Sequence, residues 1–400
     1  MAIKRKLFGE LIAHLQSKEF TIITGARQIG KSTLLGQLEE DIKSKALPVI
    51  KLNLERKNIL LDLNASPENI FKYLPNTVDR MYVLIDEIQL LDDPSNFLKL
   101  LYDEYAPKLK IIATGSSAFY IDQKFTDSLA GRKKLLELKT LDFEEFLLFK
   151  ERDDLAIELT KLRNGSQKKS LLENQLWIEM DEYINYGGYP AITLEKDKKR
   201  KKEKLEDIRD SFVKRDILES KVKDEIKFYE LMILLSSQTG NLLNQHKLSI
   251  ALKVPLAAIE EYIYILQKCY HVSIIRPFYQ SIKKELIKMP KIFFNDLGLR
   301  NMLINYFAPI EVRPDKGALL ENYVFRRLSE TNKMESIKYW RTADGSEVDF
   351  VIDNPNQQKA YEVKYANTEI SPKKYSMFTD NYTDYPLQYV SWKSDALLCL

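Results

Sequence analysis

Cysteine and histidine are scarce in this 400-residue chain, with two of the first and three of the second. Cys269 and Cys399 lie far apart, without metal-ligand spacing, so neither a disulfide framework nor a structural zinc site is expected to organise the fold. No apolar run approaches the roughly 20 residues that a membrane-spanning helix needs. The start, Met1-Ala-Ile-Lys-Arg-Lys, has no apolar stretch behind its charges, so no secretory leader is expected. Neither sign of charge dominates: 61 basic and 58 acidic residues leave a net charge of +3. Affinity for nucleic acid would therefore have to come from local clustering. We find no internal repeat, no low-complexity segment and no Ser/His/Asp or Cys/His nucleophile set. The 22 tyrosines and 18 phenylalanines follow no regular spacing, which suits core packing better than a base-stacking platform. What remains is 44% hydrophobic and 30% charged, enough for packed cores. The length suits two to four domains of roughly 100–200 residues, and the expected compartment is the cytoplasm.

The most informative stretch is near the start. Phe20–Thr24 is β-branched and apolar, as a buried strand should be, and it follows an amphipathic helix near Phe8–Leu15. Then comes Gly25-Ala-Arg-Gln-Ile-Gly30-Lys31-Ser32, followed by a helical pattern from Thr33. This is G-x-x-x-x-G-K-[ST] between a strand and a helix. In that setting the backbone of Gly25, Ala26, Arg27, Gln28, Ile29 and Gly30 can curl around a β-phosphate. Lys31 reaches the β/γ oxygens and the Ser32 hydroxyl can ligate Mg²⁺, with Thr33 beside them. A second apolar strand, Met81–Ile85, runs into Asp86-Glu87. At the C-terminal edge of a parallel sheet, Asp86 would help hold Mg²⁺ while Glu87 orients or deprotonates an attacking water. The pair predicts an ATP site.

A third strand, Lys110–Thr114, ends in Gly115-Ser116-Ser117, and Thr114 or Ser116 could sense a phosphate or position water. Ordinary strand-end capping is the alternative. Arg132 follows Gly131 and precedes a strand at Lys133–Leu138. It could offer a guanidinium to a γ-phosphate in cis or to a neighbouring subunit, or simply be a surface arginine.

Together, Gly25–Ser32, Leu84-Ile-Asp-Glu-Ile-Gln89, Ala113–Ser117 and Leu129-Ala-Gly-Arg132 resemble a large group of bacterial and archaeal AAA-type ATPases. Leu141-Asp-Phe-Glu-Glu-Phe146 and Tyr186-Gly-Gly-Tyr-Pro190 strengthen the resemblance, which runs from the first helix to about Lys364. It implies an α/β fold with a P-loop parallel-sheet core, a helical lid, a winged helix and a small restriction-endonuclease-like domain at the C-terminus.

Downstream, Asp142 can cap a helix at Phe143–Lys150, and Trp177–Tyr186 forms another that stops at Gly187-Gly188. Helices through Ile208–Ser220 would make the lid. Arg209 and Arg215 on it are either phosphate-sensing arginines or part of a salt-bridged face. Lys196–Lys204, the most basic run, is either a solvated helix surface or a track for a nucleic-acid backbone. Ile226–Ser236, Leu243–Leu252 and Leu256–Cys269 read as three helices, followed by strands at Val272–Arg276 and Lys291–Phe294. That order is a winged-helix pattern. Its candidate recognition helix is acidic at Glu260 and Glu261, which favours a protein contact over DNA reading.

Near the C-terminus, strands around Ser346–Ile352 and Ala360–Lys364 should pair as a hairpin. Alternation puts Glu347 and Asp349 on one face of the first strand, and Glu362 and Lys364 on one face of the second. Asp349 and Glu362 could then hold Mg²⁺ or Mn²⁺ while Lys364 polarises water. The pattern resembles the Asp…Glu-x-Lys centre of restriction-endonuclease-like nucleases, and that resemblance implies Glu321, on an upstream helix, as a further acidic ligand. Charged residues alternating with apolar ones in a half-buried strand are the plainer reading.

The expected domains are residues 1–145 for the ATPase core, 146–225 for the lid, 226–310 for the winged helix and 311–400 for the nuclease-like region. The expected activity is Mg²⁺-dependent ATP hydrolysis coupled to a DNA-associated or nuclease-like region. The alternative is a non-cleaving nucleotide switch that binds a protein partner. A ring motor with Arg132 acting in trans is a third use, and oligomerisation is compatible with all three.

Overall fold

A computed structural model describes residues 3–75, 80–115, 129–220, 222–279, 281–355, 357–366 and 372–400. They divide into two compact units, Met1–Thr140 with Lys268–Tyr270, and Leu141–Gln267 with His271–Leu400.

The first unit is a parallel five-stranded sheet with the order β2-β3-β4-β1-β5. The strands are β1 (Phe20–Thr24), β2 (Val49–Asn53), β3 (Met81–Asp86), β4 (Leu109–Thr114) and β5 (Lys133–Glu137). Helices α1 (Leu7–His14), α2 (Lys31–Ser44), α3 (Lys57–Ala65) and α4 (Pro94–Tyr105) connect or precede them. Every residue of β1, β3 and β4 is buried. That is why these strands read as continuous apolar runs: both faces of a central parallel strand are covered. Phe20, Ile22, Val83, Ile85, Ile111 and Ala113 share one core with Phe97, Leu98 and Leu101 of α4. Each fully buried aliphatic or aromatic side chain contributes about 1.5–3 kcal/mol here.

The order has a consequence for function. The P-loop strand β1 is not beside β3, because β4 lies between them, with Ile23 opposite Thr114 and Ala113 opposite Ile85. Three strand ends, Thr24, Thr114 and Asp86, therefore meet along one edge of the sheet. That edge, at the carboxyl ends of the strands, is where open α/β sheets place ligands.

The second unit contains the helices α5 (Phe143–Phe149), α6 (Asp153–Arg163), α7 (Glu173–Tyr186), α8 (Lys198–Ser220), α9 (Glu225–Ser237), α10 (Gln245–Leu252) and α11 (Leu256–Lys268). After them come α12 (Ile282–Ile287), α13 (Leu297–Leu303), α14 (Lys316–Thr331) and α15 (Asp395–Cys399). A six-stranded mixed sheet joins β6 (Val272–Pro277), β7 (Lys291–Phe294), β8 (Ile337–Arg341), β9 (Glu347–Asn354), β10 (Gln357–Lys364) and β11 (Leu387–Ser391) in the order β11-β10-β9-β8-β6-β7.

The segments expected as lid, winged helix and C-terminal domain fall together in this one compact unit. The three helices and the antiparallel β6–β7 pair are present in the expected order. However, β6 also pairs with β8 through Arg276↔Lys338 and Pro277↔Tyr339, so the hairpin is built into the C-terminal sheet. One core cluster then runs from Leu141, Phe146 and Tyr183 through Phe293 and Leu297 to Tyr323, Phe350 and Val363. The first unit ends at Thr140, and α5 belongs to the core of the second. Phe146 meets Tyr183 edge-on at 5.2 Å, and Asp142 and Glu145 form a reciprocal capping box at its start.

The Gly187-Gly188 break belongs to the same packing. A Cβ at Gly188 would lie 2.3 Å from the Leu141 carbonyl oxygen, so any side chain there is excluded. The Gly188 carbonyl accepts from Leu141 N at 2.8 Å, and its N–H donates to Asp296 Oδ2 at 2.9 Å. The basic run on α8 is split between surfaces. Lys198, Lys199 and Arg200 are exposed. Lys201 is buried, donating to Ile192 O at 2.7 Å and pairing with Glu182 at 3.2 Å. Arg209 pairs with Asp210 and Glu206 at 2.7 and 2.9 Å, which is the salt-bridged helix face. Among the described residues no helix is long and apolar enough to cross a membrane.

Candidate nucleotide site and C-terminal acidic centre

Gly25 leaves β1 at φ +137°, in the region that favours glycine. A Cβ there would sit 2.1 Å from Leu138 O, so the turn closes only without one. Gly30, at φ +96°, caps α2, and the helix begins at Lys31. A helix N-terminus presents backbone N–H groups and the positive end of its dipole, which suits an anionic oxygen. Lys31 is buried, its ammonium donating to the carbonyls of Gly25 at 2.8 Å and Ala26 at 2.6 Å.

Behind the loop, one hydrogen-bonded chain ties the ends of β3 and β4 to the start of α2. Ser32 Oγ donates to Asp86 Oδ1 at 3.1 Å, and Thr114 Oγ1 donates to the same oxygen at 2.5 Å. Glu87 N donates to Thr114 Oγ1 at 3.1 Å. Glu87 itself has φ +62°, a left-handed conformation uncommon for a residue with a side chain. Such positions persist where neighbours over-determine them, and here both its N–H and its carboxylate are held. The carboxylate accepts from Gln89 Nε2.

The donor set fits the ion that this chemistry needs. Ser32 and Asp86 put a hydroxyl and a carboxylate together beside the helix N-terminus, the hard oxygen ligands that Mg²⁺ takes with phosphate and water. Thr114 meets Asp86 and Glu87 from β4, while Ser116 lies outside the described residues, as does the side chain of Arg215.

Arg132 lies elsewhere. Its carbonyl accepts from Phe20 N at 2.9 Å and Lys133 pairs with Phe20, so Arg132 stands at the amino-terminal edge of the sheet. The P-loop leaves the opposite edge. Its guanidinium grips Asp103 of α4 at 2.7 and 3.2 Å. Five residues of strand, at about 3.3 Å each, separate it from Thr24, so the expectation that it serves its own chain's γ-phosphate is corrected.

Sequence reasoning missed two supports of this site. Buried Arg5 donates to Ile29 O of the loop at 3.0 Å and to Lys139 O at 2.7 Å, bracing the loop against the segment after β5. No local motif marks it. Gln89, two residues beyond Glu87, could have been suspected from its place in the turn that begins at Ile88.

With this geometry in view, comparison with known proteins adds the following. Residues 17–147 match the family described as "AAA domain". Over that range the chain is similar to AAA-type P-loop ATPase domains. Residues 178–309 and 316–398 match two families described only as domains of unknown function, DUF8612 and DUF4143. An uncharacterized protein of Methanocaldococcus jannaschii, MJ1544, is 28% identical over 88% of this chain and 77% of its own length. An uncharacterized protein of Haemophilus influenzae is 26% identical over 95% of this chain and 90% of its own. Among solved structures, the Thermotoga maritima RuvB Holliday junction branch migration motor aligns with a TM-score of 0.33 and 14% identity. It covers 68% of this chain and 89% of its own. The AMPPCP-bound DnaA from Aquifex aeolicus aligns with a TM-score of 0.31 and 18% identity, covering 66% and 86%.

The C-terminal residues singled out by pattern do come together. The β9–β10 ladder runs to Tyr361 opposite Phe350. Just beyond it, Asp349 Oδ2 accepts from Val363 N at 2.8 Å, so a carboxylate continues what backbone began. Lys364 Nζ stands 2.5 Å from Glu362 Oε1 and 3.7 Å from Asp349 Oδ2. Tyr375 donates to Glu362 Oε1 at 2.6 Å, whereas the buried Glu362 Oε2 has no hydrogen-bond partner among the described residues. Burial, and then the charge of Asp349, push the Glu362 carboxyl above its ordinary range.

One residue changes the expected reading of this centre. Lys291 of β7, 3% exposed at its side chain, sends its ammonium to Glu321 at 2.8 Å, Glu347 at 2.5 Å and Asp349 at 3.8 Å. Burial pulls its pKa down, but the charges of Glu321, Asp349 and Glu347 more than offset this and raise it. It stays cationic. Two of the three expected metal ligands, Glu321 and Asp349, thus face an ammonium. Among the described residues no group of three or more acidic, histidine or cysteine side chains is arranged to hold a metal ion. The residues present do not fit the Mg²⁺ or Mn²⁺ that the nuclease resemblance implies.

Proposed function

We propose that the chain binds ATP with Mg²⁺ and hydrolyses it, with Glu87 as the group that orients and deprotonates the attacking water. The observation that supports this best is the hydrogen-bonded chain Ser32–Asp86–Thr114–Glu87 at the strand ends. Bound Mg²⁺ would neutralise charge on the β- and γ-phosphates, and Ser32 and Asp86 are the residues to hold it. Lys31, now on two loop carbonyls, can turn its ammonium to the phosphate oxygens, because two neutral dipoles are weaker partners than a polyanion. Thr114 holds Asp86 and the Glu87 backbone together, so both carboxylates keep their positions relative to the helix. Gln89 holds the Glu87 carboxylate in place through its side-chain amide. Arg132, at the far edge of its own sheet, fits a contact in trans with a second copy better than any role in its own site. Measured by phosphate release, Glu87→Gln should lower turnover by about 10²–10⁴-fold while nucleotide still binds. Unchanged turnover would sink the role.

What hydrolysis drives has two readings. In the first, nucleotide state is coupled to DNA or to cleavage at Asp349, Glu362 and Lys364. In the second, the chain is a non-cleaving switch whose second unit binds a partner protein, with α9–α11 and the β6–β7 pair as a winged-helix module. The ammonium of Lys291 among the carboxylates favours the switch. Incubation of single- and double-stranded DNA with Mn²⁺ or Mg²⁺, with and without ATP, tests the choice. The switch reading expects no cutting; cutting that Lys364→Ala abolishes would restore the first.

A further inference from the structure

The acidic centre raises a question that the ATPase reading leaves untouched: what balances its charge. Four carboxylates converge there, from Glu321 on α14, Glu347 and Asp349 on β9, and Glu362 on β10. Two lysines face them. Lys364 is half-exposed and tends Glu362 and Asp349 from the strand end. Lys291 comes from β7 and reaches three of the four carboxylates with one ammonium. It also lies over the Tyr339 ring, 5.6 Å from its centre.

We propose that Lys291 is the built-in cation of this centre, taking the place that a divalent ion would occupy among Glu321, Glu347 and Asp349. The intact protein then binds no metal there, and loss of the lysine charge turns the cluster into a divalent-cation site.

Three observations carry this. First, the three carboxylates around the ammonium come from a helix and a strand far apart in sequence, Glu321 on α14 and Glu347 with Asp349 on β9, so the cluster is assembled around a common point. Second, the spacing suits an ammonium: nitrogen–oxygen distances of 2.8 and 2.5 Å approach the 2.3–2.6 Å shell of Ca²⁺ more closely than the roughly 2.0–2.1 Å that Mg²⁺ demands. An ion slightly larger than Mg²⁺ could enter with small side-chain shifts. Third, Glu362 Oε2 is buried without a hydrogen-bond partner among the described residues, although Lys364 and Tyr375 share its other oxygen. A buried carboxylate oxygen left in that condition is costly, so the centre already holds more acidic oxygen than its two lysines satisfy. Removing Lys291 extends that deficit to Glu321, Glu347 and Asp349.

The inference does not rest on hydrolysis, so the test is made without nucleotide on the full chain. Mn²⁺ binding is followed by the electron paramagnetic resonance signal of the free ion for wild type, Lys291→Gln, Asp349→Asn and the double variant. We expect wild type and Asp349→Asn to titrate alike, because any Mn²⁺ that they hold sits at Ser32 and Asp86. Lys291→Gln should take up one further Mn²⁺, bound about tenfold or more tightly than in wild type, and Asp349→Asn should abolish that gain. Binding in wild type that Asp349→Asn removes would overturn the proposal, and so would a folded Lys291→Gln with no gain. If Lys291→Gln fails to fold by circular dichroism, Lys291→Met/Glu362→Gln keeps Glu321, Glu347 and Asp349, removes the carboxyl outside that trio and is titrated in the same way. One additional Mn²⁺ supports the proposal and none overturns it.

Discussion

A buried lysine sits in each of the two centres, and the two have opposite prospects. Lys31 rests on the carbonyls of Gly25 and Ala26, neutral dipoles at the start of a helix. Lys291 rests on Glu321 and Glu347, with Asp349 close by, in a pocket where every partner is ionisable. Neutral partners let a cation leave at small cost when a stronger anion arrives. Carboxylates in a buried setting do not, since breaking such a pair strands charge on both sides. The first lysine is poised for a ligand, whereas the second is part of the fold.

The widest gap between the two should appear in paired substitutions. Lys31→Ala should remove ATP binding, weakening it by about 100-fold or more in an equilibrium titration, while thermal unfolding changes little. Lys291→Met should do the reverse: nucleotide binding intact, and stability lowered by about 3–5 kcal/mol in denaturant unfolding, as when one partner of a buried ion pair is lost. If both variants lose stability alike, the contrast between a mobile and a fixed lysine fails.

A smaller effect sharpens the comparison through another buried ion cluster of the second unit. Arg313 and Arg300 both grip Asp315, the first at 2.8 Å. Burial raises the Asp315 carboxyl, but the Arg313 hydrogen bond and the Arg300 charge outweigh it and bring it down to about 2 from 3.8. A depressed folded-state pKa means stabilisation that is complete above about pH 4 and lost as pH falls toward 2. Asp315→Asn should cost about 2 kcal/mol at neutral pH and flatten that acid limb in thermal melts taken between pH 2 and 5. An unchanged acid limb would assign the sensitivity to other carboxylates.

Much of the nucleotide site could be read directly from the chain because its parts are consecutive. The P-loop needs a strand, a turn and a helix in eight residues, and each requirement shows in residue type: β-branched Phe20–Thr24, glycine at 25 and 30, lysine then serine. Asp86 and Glu87 were legible because a buried strand must end somewhere polar. Arg5 was not, since a cation that braces two carbonyls has no pattern around it. Arg132 was readable as an arginine after a turn, but its edge of the sheet was not, because only the parallel register with Phe20 decides that.

The C-terminal centre shows the limit more sharply. Alternation put Glu347 with Asp349 and Glu362 with Lys364, and those pairs do share surroundings. Lys291 lies in a short apolar strand dozens of residues upstream, where it looks like the polar start of a wing.

Local chemistry, then, was written in the chain: which segments are strands and helices, where a phosphate would bind, and which acidic residues alternate toward one face. Only tertiary structure decided how many compact units form, which edge of the first sheet carries Arg132, and which cation fills the acidic centre. The physical reason is range. Backbone conformation and side-chain alternation are settled within a few residues, whereas the partner of a buried charge is chosen by strand pairing and core packing across the whole unit.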